Sequence, residues 1–309
     1  MKNSPKNILL TIALLLIVVV VASAQQNKTI TVGGVSFQMI YVQGGTFQMG
    51  GFPETLREQA KANLDELKKK LAEASEEDKQ RAQKRLQEFQ DIVQAFEHAH
   101  QLHKVTLSGY YIGETEVTQA LWTAVMGNNP SKNEYVDHGV GDNYPVYEVS
   151  WDDCQEFITK LNQMTGKTFR LPTEAEWEFA ACGGVKSKGY KYSGSNEYDK
   201  VGWFNDSTTH PVKGKLANEL GIYDMSGNVE EWCNDWMSSD YYTVSPTNNP
   251  QGPVNPIENP KNVLDRDAQN SKVARGSSIW DPNTEISCRN CHKKTQGYSK
   301  VGLRLVLSN

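Results

Sequence analysis

Five cysteines, at positions 154, 182, 233, 288 and 291, are the residues of this chain best suited to redox or metal chemistry. Cys288 and Cys291 form a Cys-x-x-Cys pair, a spacing that occurs in redox motifs and in metal sites. A zinc site with four cysteines needs a second such pair, which the sequence lacks. A structural disulfide from Cys233 to either member of the pair is the alternative, and both roles stay open at this point.

The loop from Asp224 to Glu231 is a second candidate, because it has an acid at each end and Gly-Asn at its turn. The two carboxylates, with the backbone carbonyls of Gly227 and Val229, form an oxygen-rich set that suits Ca²⁺. An Asx-type turn without a metal is the alternative. The residues alone are compatible with both.

A third cluster of charges surrounds a predicted helix start, where Arg170 precedes Glu174, Glu176 and Glu178. These residues could form a catalytic carboxylate pair or buried ion pairs that hold loops together. No nucleophile with an adjacent base is evident nearby, and hydrolase chemistry would require one. We therefore predict structural ion pairs here.

The elements that position these residues follow from hydrophobic periodicity. The sequence predicts short strands within residues 30–49 and helices at 118–126, 151–164 and 173–182. Asn, Pro, Ser and Asp are frequent in segment 237–272, which predicts mostly loop. Few helices, short strands and no fixed-period repeat predict one α+β domain over residues 25–309, with little regular secondary structure.

Residues 54–99 form an insertion of distinct composition, without Gly or Pro and rich in Glu, Lys, Gln, Ala and Leu. Two apolar stripes at helical spacing predict helices at 54–73 and 76–99, with Ser75 as the cap of the second. The pair would form a coiled-coil-like hairpin. It is either a decorative insertion or an arm that docks a partner.

Residues 1–24 have the features of an export signal. Lys2 and Lys6 precede an apolar run at 8–21, and Ala-Ser-Ala follows at 22–24. The run is short for a membrane-spanning helix. We predict cleavage and export to the periplasm, the cell envelope or the exterior, and an uncleaved signal would be the only membrane contact.

Composition excludes two classes of protein. The formal net charge is −5 and the pI about 5.8, so there is no overall positive field to attract nucleic acid. The mean hydropathy of −0.59 excludes a protein with many membrane spans.

Seven phrases of the sequence resemble, in order, those of the formylglycine-generating enzyme family, also called the sulfatase-modifying factor family. The phrases lie at residues 44–50, 116–118, 145–151, 170–178, 221–232, 275–278 and 302–304. They cover nearly all of the chain after the signal except the insertion. The resemblance implies the family's α+β fold, which is related to C-type lectins, with the helical hairpin inserted into it.

The resemblance also implies a chemistry. Active members hold copper with two thiolates and use O₂ to oxidise a cysteine of a sulfatase peptide to formylglycine. Their two cysteines are separated by four residues and follow an Arg-Gly-Gly-Ser phrase, and counting from the corresponding phrase here gives Asp281 and Ile286. If copper binds, Cys288 and Cys291 are its candidate ligands and Ser278 lines the pocket. At the Asp224 loop the resemblance favours calcium over a metal-free turn.

Two functions follow from these expectations. The first is a non-catalytic binding or assembly module at the cell envelope, whose partner is a protein that docks on the helical arm or a glycan. The second is a copper-dependent formylglycine-generating oxidase that acts on a sulfatase peptide. We favour the first, because the paired thiols do not lie at the family spacing.

Overall fold

Three β-sheets and eight α-helices make up this computed structural model, which describes residues 26–132, 138–258, 260 and 263–308. The strands are β1 (Lys28–Val32), β2 (Val35–Val42), β3 (Gly45–Met49), β4 (His103–Leu107), β5 (Tyr110–Gly113), β6 (Phe169–Arg170), β7 (Glu230–Trp236), β8 (Ser271–Arg275), β9 (Arg289–Lys293), β10 (Val301–Gly302) and β11 (Val306–Leu307). The helices are α1 (Glu54–Glu73), α2 (Glu76–Ala99), α3 (Gln119–Met126), α4 (Trp151–Thr165), α5 (Glu174–Ala181), α6 (Tyr198–Val201), α7 (Tyr241–Val244) and α8 (Val263–Ala268). The predicted signal at residues 1–24 lies outside the described residues. Among the described helices, none combines the length and apolarity needed to cross a membrane.

The sheets bring distant parts of the chain together. One sheet has the order β1-β2-β5-β11-β6 with antiparallel neighbours, so a strand from the end of the chain lies between two earlier ones. A second sheet has the order β10-β7-β8-β9, in which only the β10–β7 pair is parallel. Its register places Arg275 opposite Glu231 on one side and Arg289 on the other.

Two buried apolar clusters form the core. The first packs α3 and α4 against the five-stranded sheet, with the rings of Trp122 and Phe157 stacked at a centroid distance of 4.9 Å. The second surrounds α5 and includes Trp177, Cys233 and Ile286. The α+β class predicted from the sequence is confirmed.

Helix ends follow local chemistry. Thr118, Ser150 and Thr173 are N-caps whose side chains accept from backbone N–H groups of the first turn. The predicted helices at 118–126, 151–164 and 173–182 are therefore present to within one residue at each end. Two short helices, α7 and α8, interrupt the segment 237–272, which the sequence predicts as mostly loop.

The insertion folds as the predicted hairpin of α1 and α2, and Ser75 accepts from the Asp78 N–H at the start of α2. Its base packs on the core, where Ala95 and Ala99 are buried. β3 and β4 pair antiparallel directly before and after the hairpin, so both ends of the arm lie on one ribbon.

Candidate functional site

A buried ion-pair network lies beneath the phrase Arg275–Ser278. The Glu174 carboxylate accepts from Arg275 Nη1 at 2.8 Å and from Arg289 Nε at 2.6 Å, and all three side chains are at most 2% exposed. Burial alone would raise the pKa of Glu174, but the guanidinium groups of Arg289 and Arg275 lower it to about 2. Arg170 pairs separately with Glu176 at 2.6 Å. The acids that follow Arg170 thus form ion pairs, as the sequence predicts for this cluster.

The same network fixes the helical arm to the core. Glu178 accepts from Arg275 Nη2 at 2.6 Å with one oxygen, and from the Gly50 N–H, just before the arm, at 2.7 Å with the other. At the far end of the arm, Arg289 Nη1 donates to the Ala99 carbonyl at 2.9 Å. Both ends of the insertion are therefore held by charged groups that also support the Ser278 loop, which joins β8 to β9.

Ser278 begins this loop and is fully buried. The Asp281 carboxylate accepts from the Ser278 N–H at 2.8 Å and from the Ser278 hydroxyl at 2.7 Å. Asp281 also lies 3.6 Å from the ammonium of Lys300. The position of the family's first thiolate thus holds a carboxylate that is already hydrogen bonded and paired.

Lys300 joins Asp281 to a second acid. Glu230, which is fully buried at the start of β7, accepts from Lys300 Nζ at 3.0 Å and from Asn290 Nδ2 at 3.0 Å. His292 Nε2 makes a further close contact with Glu230. Buried charge is stable only when it is paired and hydrogen bonded, and this cluster meets that condition from its own residues.

The position of the family's second thiolate holds Ile286, whose side chain packs in the second core cluster. Its carbonyl accepts from Arg275 Nη2 at 2.8 Å, and its N–H donates to the Lys191 carbonyl at 3.0 Å. The backbone is therefore fixed on both sides, and the residue offers no metal ligand.

Cys288 and Cys291 have different surroundings in the structure. Cys291 lies in β9 and packs against the second core cluster, whereas Cys288 precedes the strand, where the charges of Glu230 and Asp281 act on its thiol. Burial raises the pKa of Cys288 to about 11, so its thiol is protonated at neutral pH.

The residues present therefore do not fit a copper ion held by two thiolates, which is the group that the family resemblance implies. A linear Cu(I) site needs two deprotonated sulfurs aimed at one point. Here one family position is a carboxylate engaged by Ser278 and Lys300, and the other is an apolar side chain. The disulfides considered from Cys233 do not form either, because Cys233 is a free thiol buried in the second cluster.

The candidate calcium loop is held by side chains from across the domain. Asp224 Oδ2 accepts from the Lys213 N–H at 2.8 Å, and Glu231 pairs with Arg304 at 2.6 Å and accepts from Trp177 Nε1 at 2.6 Å. Gly227 has a φ of +79°, and a Cβ there would lie 2.1 Å from the Trp203 carbonyl oxygen, so only glycine fits.

Three buried acids lie at this loop. Asp224 and Glu231 share their surroundings with Glu116, which accepts from Asn228 Nδ2 at 3.1 Å. The Arg304 guanidinium pairs with Glu231, and burial raises the pKa of Asp224 to about 6 although the Lys213 N–H and the Arg304 guanidinium oppose the shift. Ca²⁺ prefers carboxylate and carbonyl oxygens, but among the described residues no group of three or more His, Cys, Asp or Glu side chains is arranged to hold a metal ion, so calcium at this loop stays a prediction.

Several residues of the site were not identified from the sequence. Arg289 lies between Cys288 and Cys291 in the sequence. Lys300 and Glu230 are 70 residues apart in the sequence, yet the pairing of β10 with β7 brings them into contact. No local pattern marks such pairs. Of these residues, only Glu230 carries a signal in the sequence, because it lies beside Glu231 within a family phrase.

Comparisons with known proteins identify a matching family model and several relatives of this chain. A family model of the sulfatase-modifying factor enzyme 1-like domain matches residues 27–309. The chaperone protein LppX of Paenibacillus barcinonensis is 38% identical in an alignment of length 187 that covers 43% of this chain and 65% of that protein. The formylglycine-generating enzyme of Streptomyces coelicolor is 39% identical in an alignment of length 126 that covers 36% of this chain and 38% of the enzyme. The chain thus spans less than two thirds of the length of either relative.

Among solved structures, Treponema denticola variable protein 1 superposes with a TM-score of 0.67 at 28% identity, over 92% of this chain and 99% of that one. Because the family model matches nearly the whole described chain, as the seven phrases of the sequence indicate, the protein belongs to the sulfatase-modifying factor enzyme 1-like family.

Proposed function

We propose that this protein is a non-catalytic binding or assembly module that uses the family fold as a scaffold, at the cell envelope after export. One observation carries the proposal. At the two positions where active relatives place copper thiolates, this chain has Asp281, engaged by Ser278 and Lys300, and Ile286, packed in the core. A fold can be kept while the chemistry of its site is lost.

The hydrogen bonds and the thiol pKa within the site support the same proposal. Reactive sites hold groups whose bonding is incomplete until substrate arrives, or whose pKa is moved toward the working pH. Here Asp281 and Glu230 have their donors within the protein, and the pKa of Cys288 is moved away from neutrality. A thiol with this pKa is a weak nucleophile.

The arm is the proposed surface for a protein partner. It projects as a hairpin whose base is fixed by Glu178 and Arg289, so a partner bound to it is held in a defined orientation to the domain. An apolar hollow of about 170 Å³ lies between the helices and is lined by Phe52, Leu56 and Phe89 among others. Such a hollow suits an apolar side chain of a partner protein.

The proposal is tested with a peptide that contains Cys-x-Pro-x-Arg. The mature protein is incubated with the peptide, Cu(I) and O₂ under mild reduction, and the peptide is weighed by mass spectrometry. We expect no change, whereas conversion of a thiol to an aldehyde lowers the mass by about 18 Da. The Streptomyces coelicolor formylglycine-generating enzyme serves as positive control.

The oxidase remains the second candidate, because formylglycine-generating enzymes are among the sequence relatives. It makes a distinct prediction in the same assay. A loss of about 18 Da that disappears in Cys288→Ser and in Cys291→Ser would establish the oxidase and refute the non-catalytic proposal. A loss that persists in both variants would come from free copper.

The arm is tested separately by cross-linking in cell envelopes. Leu56→Asp introduces a charge in the hollow, and Lys69→Asp on the exposed face of the same helix is the matched control. We expect Leu56→Asp to abolish the cross-link to the partner protein and Lys69→Asp to leave it unchanged. Equal recovery in both variants would show that the hollow is not the docking surface.

A further inference from the structure

A buried histidine lies where the helical arm joins the core. His100 is the C-cap residue of α2 and is 3% exposed. Its ring packs beside the rings of Phe52 and Phe96, each at a centroid distance of 5.9 Å. An imidazole is the side chain whose charge changes most readily between pH 5 and pH 8, so its burial at this junction makes the attachment of the arm sensitive to protons.

Only one nitrogen of the His100 ring has a partner in the described part of the chain. Nδ1 lies 2.8 Å from the Phe96 carbonyl oxygen, so this nitrogen carries the hydrogen. Nε2 is buried and has no hydrogen-bond partner among the described residues. Protonation would turn Nε2 from an acceptor into a donor and add a positive charge. Because a buried charge without a partner is unfavourable, the docked arm requires neutral His100.

The charges of the core oppose a further positive charge at this position. Arg289 Nη1 donates at 2.9 Å to the carbonyl of Ala99, the residue directly before His100. Burial lowers the pKa of His100 from the ordinary 6.5 to about 4, and the guanidinium groups of Arg289 and Arg275 act in the same direction. The charge of Glu174 acts in the opposite direction, but both arginines already pair with that carboxylate.

The other ionisable groups at the end of α2 have contacts of their own. Asp240, directly before α7, lies 3.1 Å from Nε2 of His98, and both side chains are partly exposed. In α8, Asp265 accepts from a serine hydroxyl at 2.6 Å. The ring of Tyr242, in α7, faces His103 of β4 at a centroid distance of 4.5 Å. Both acids therefore have donors other than His100.

The backbone at the start of the arm reports whether the arm is docked. Gly50 and Gly51 have φ values of +93° and +101°, which glycine adopts readily. The Gly50 N–H donates to Glu178 of the core at 2.7 Å, and the Gly51 N–H donates to the His100 carbonyl at 2.7 Å. Release of His100 from the core would expose both N–H groups to water.

We propose that His100 makes the attachment of the helical arm pH-dependent, with the arm docked on the core at neutral pH and released in mildly acidic surroundings. In the released arm the ring is hydrated and accepts a proton at Nε2, whereas the docked arm excludes that proton. A state that binds the extra proton is favoured as the pH falls, so docking weakens below about pH 6.5. The inference holds whether or not a partner binds to the arm.

The size of the effect follows from the two protonation equilibria of His100. At pH 7 the ring is mostly neutral in the docked and in the released arm. With a pKa of about 4 in the docked arm and 6.5 in the released arm, the ratio of docked to released protein should fall about twentyfold from pH 7 to pH 5.

Amide hydrogen exchange at pH 7 and pH 5 measures this ratio, once each rate is corrected for its intrinsic dependence on pH. Protection of the Gly50 and Gly51 amides should fall about twentyfold in wild type. His100→Gln and His100→Phe cannot take up the proton and should remove this fall. His98→Gln, on the same turn but with its side chain 47% exposed, is the matched control and should keep it.

The proposal is overturned if wild-type protection is equal at the two pH values, or if both His100 variants retain the fall. Loss of the fall in His98→Gln would assign the effect to the exposed pair with Asp240 and would also overturn it. Thermal melting at pH 7 verifies that each variant is folded. If neither His100 variant folds, an NMR titration of the wild-type His100 ring decides, because an apparent pKa of 6.5 or above contradicts the proposal and one well below 6.5 supports it.

Discussion

Replacement of Glu174 by glutamine is the sharpest test of the buried network. The wild-type carboxylate accepts from Arg289 at 2.6 and 2.9 Å, from Arg275 at 2.8 Å and from the Tyr242 hydroxyl at 3.0 Å. In Glu174→Gln the shape is kept, but the negative charge is lost and an amide group faces two guanidinium groups. The change isolates the ionic contribution of one side chain that is 1% exposed.

The expected magnitude follows from the pKa of Glu174. Burial would raise it, but Arg289 and Arg275 lower it from the ordinary 4.5 to about 2. Each pKa unit corresponds to about 1.4 kcal/mol, so ionisation of Glu174 stabilises the fold by about 3 kcal/mol. Breaking a buried ion pair by removal of one partner independently gives about 3–5 kcal/mol. We expect Glu174→Gln to lower the free energy of unfolding by this amount at pH 7.

The pH dependence has a definite sign. Because the folded pKa of Glu174 lies below the unfolded value, its stabilisation is complete above pH 4.5 and is lost as the pH falls toward 2. The difference between wild type and Glu174→Gln should therefore shrink over that window.

Urea unfolding followed by tryptophan fluorescence measures the change. With a slope of about 3 kcal/mol per molar urea, the midpoint should fall by about 1 M. Glu66→Gln is the matched control, because Glu66 pairs with Lys70 on the exposed face of α1, and it should leave the midpoint unchanged. If both variants give the same midpoint, or if the difference at pH 7 persists at pH 3, the network does not stabilise the fold as argued.

Three further predictions concern other groups. A calcium chelator should lower the melting temperature of wild type and of the control Asp199→Asn but not of Asp224→Asn, and equal shifts in all three would exclude calcium at the Asp224 loop. Burial and the charge of Glu174 raise the pKa of Asp235 to about 7, so the folded state holds a proton there and stability should fall as the pH rises from about 4 to 7. Asp235→Asn should abolish this decline in melting scans at pH 5 and pH 8, and an unchanged decline would contradict it. Iodoacetamide at pH 8 should label Cys288 slowly in the native protein and quickly in urea, because burial raises its pKa to about 11, whereas equal rates would show an accessible thiolate.

Short-range chemistry in the sequence determined helices α1 to α5 of this protein. The apolar spacing of the insertion and the caps Ser75, Ser150 and Thr173 act within one or two turns, so each can be read without knowledge of the fold. The seven family phrases likewise indicated the α+β fold, and they contain glycines that its packing requires, such as Gly227 against Trp203.

Only the tertiary structure decided which charges and thiols meet. Glu174 finds Arg289 across 115 positions, and Glu230 finds Lys300 through the register of β10 against β7. Cys288 and Cys291 form a Cys-x-x-Cys pair in the sequence, yet only Cys291 lies in β9, and Cys288 precedes the strand. Strand register and face are set by burial of the whole sheet rather than by neighbouring residues, and for this reason the sequence could identify the thiols but could not determine whether they converge.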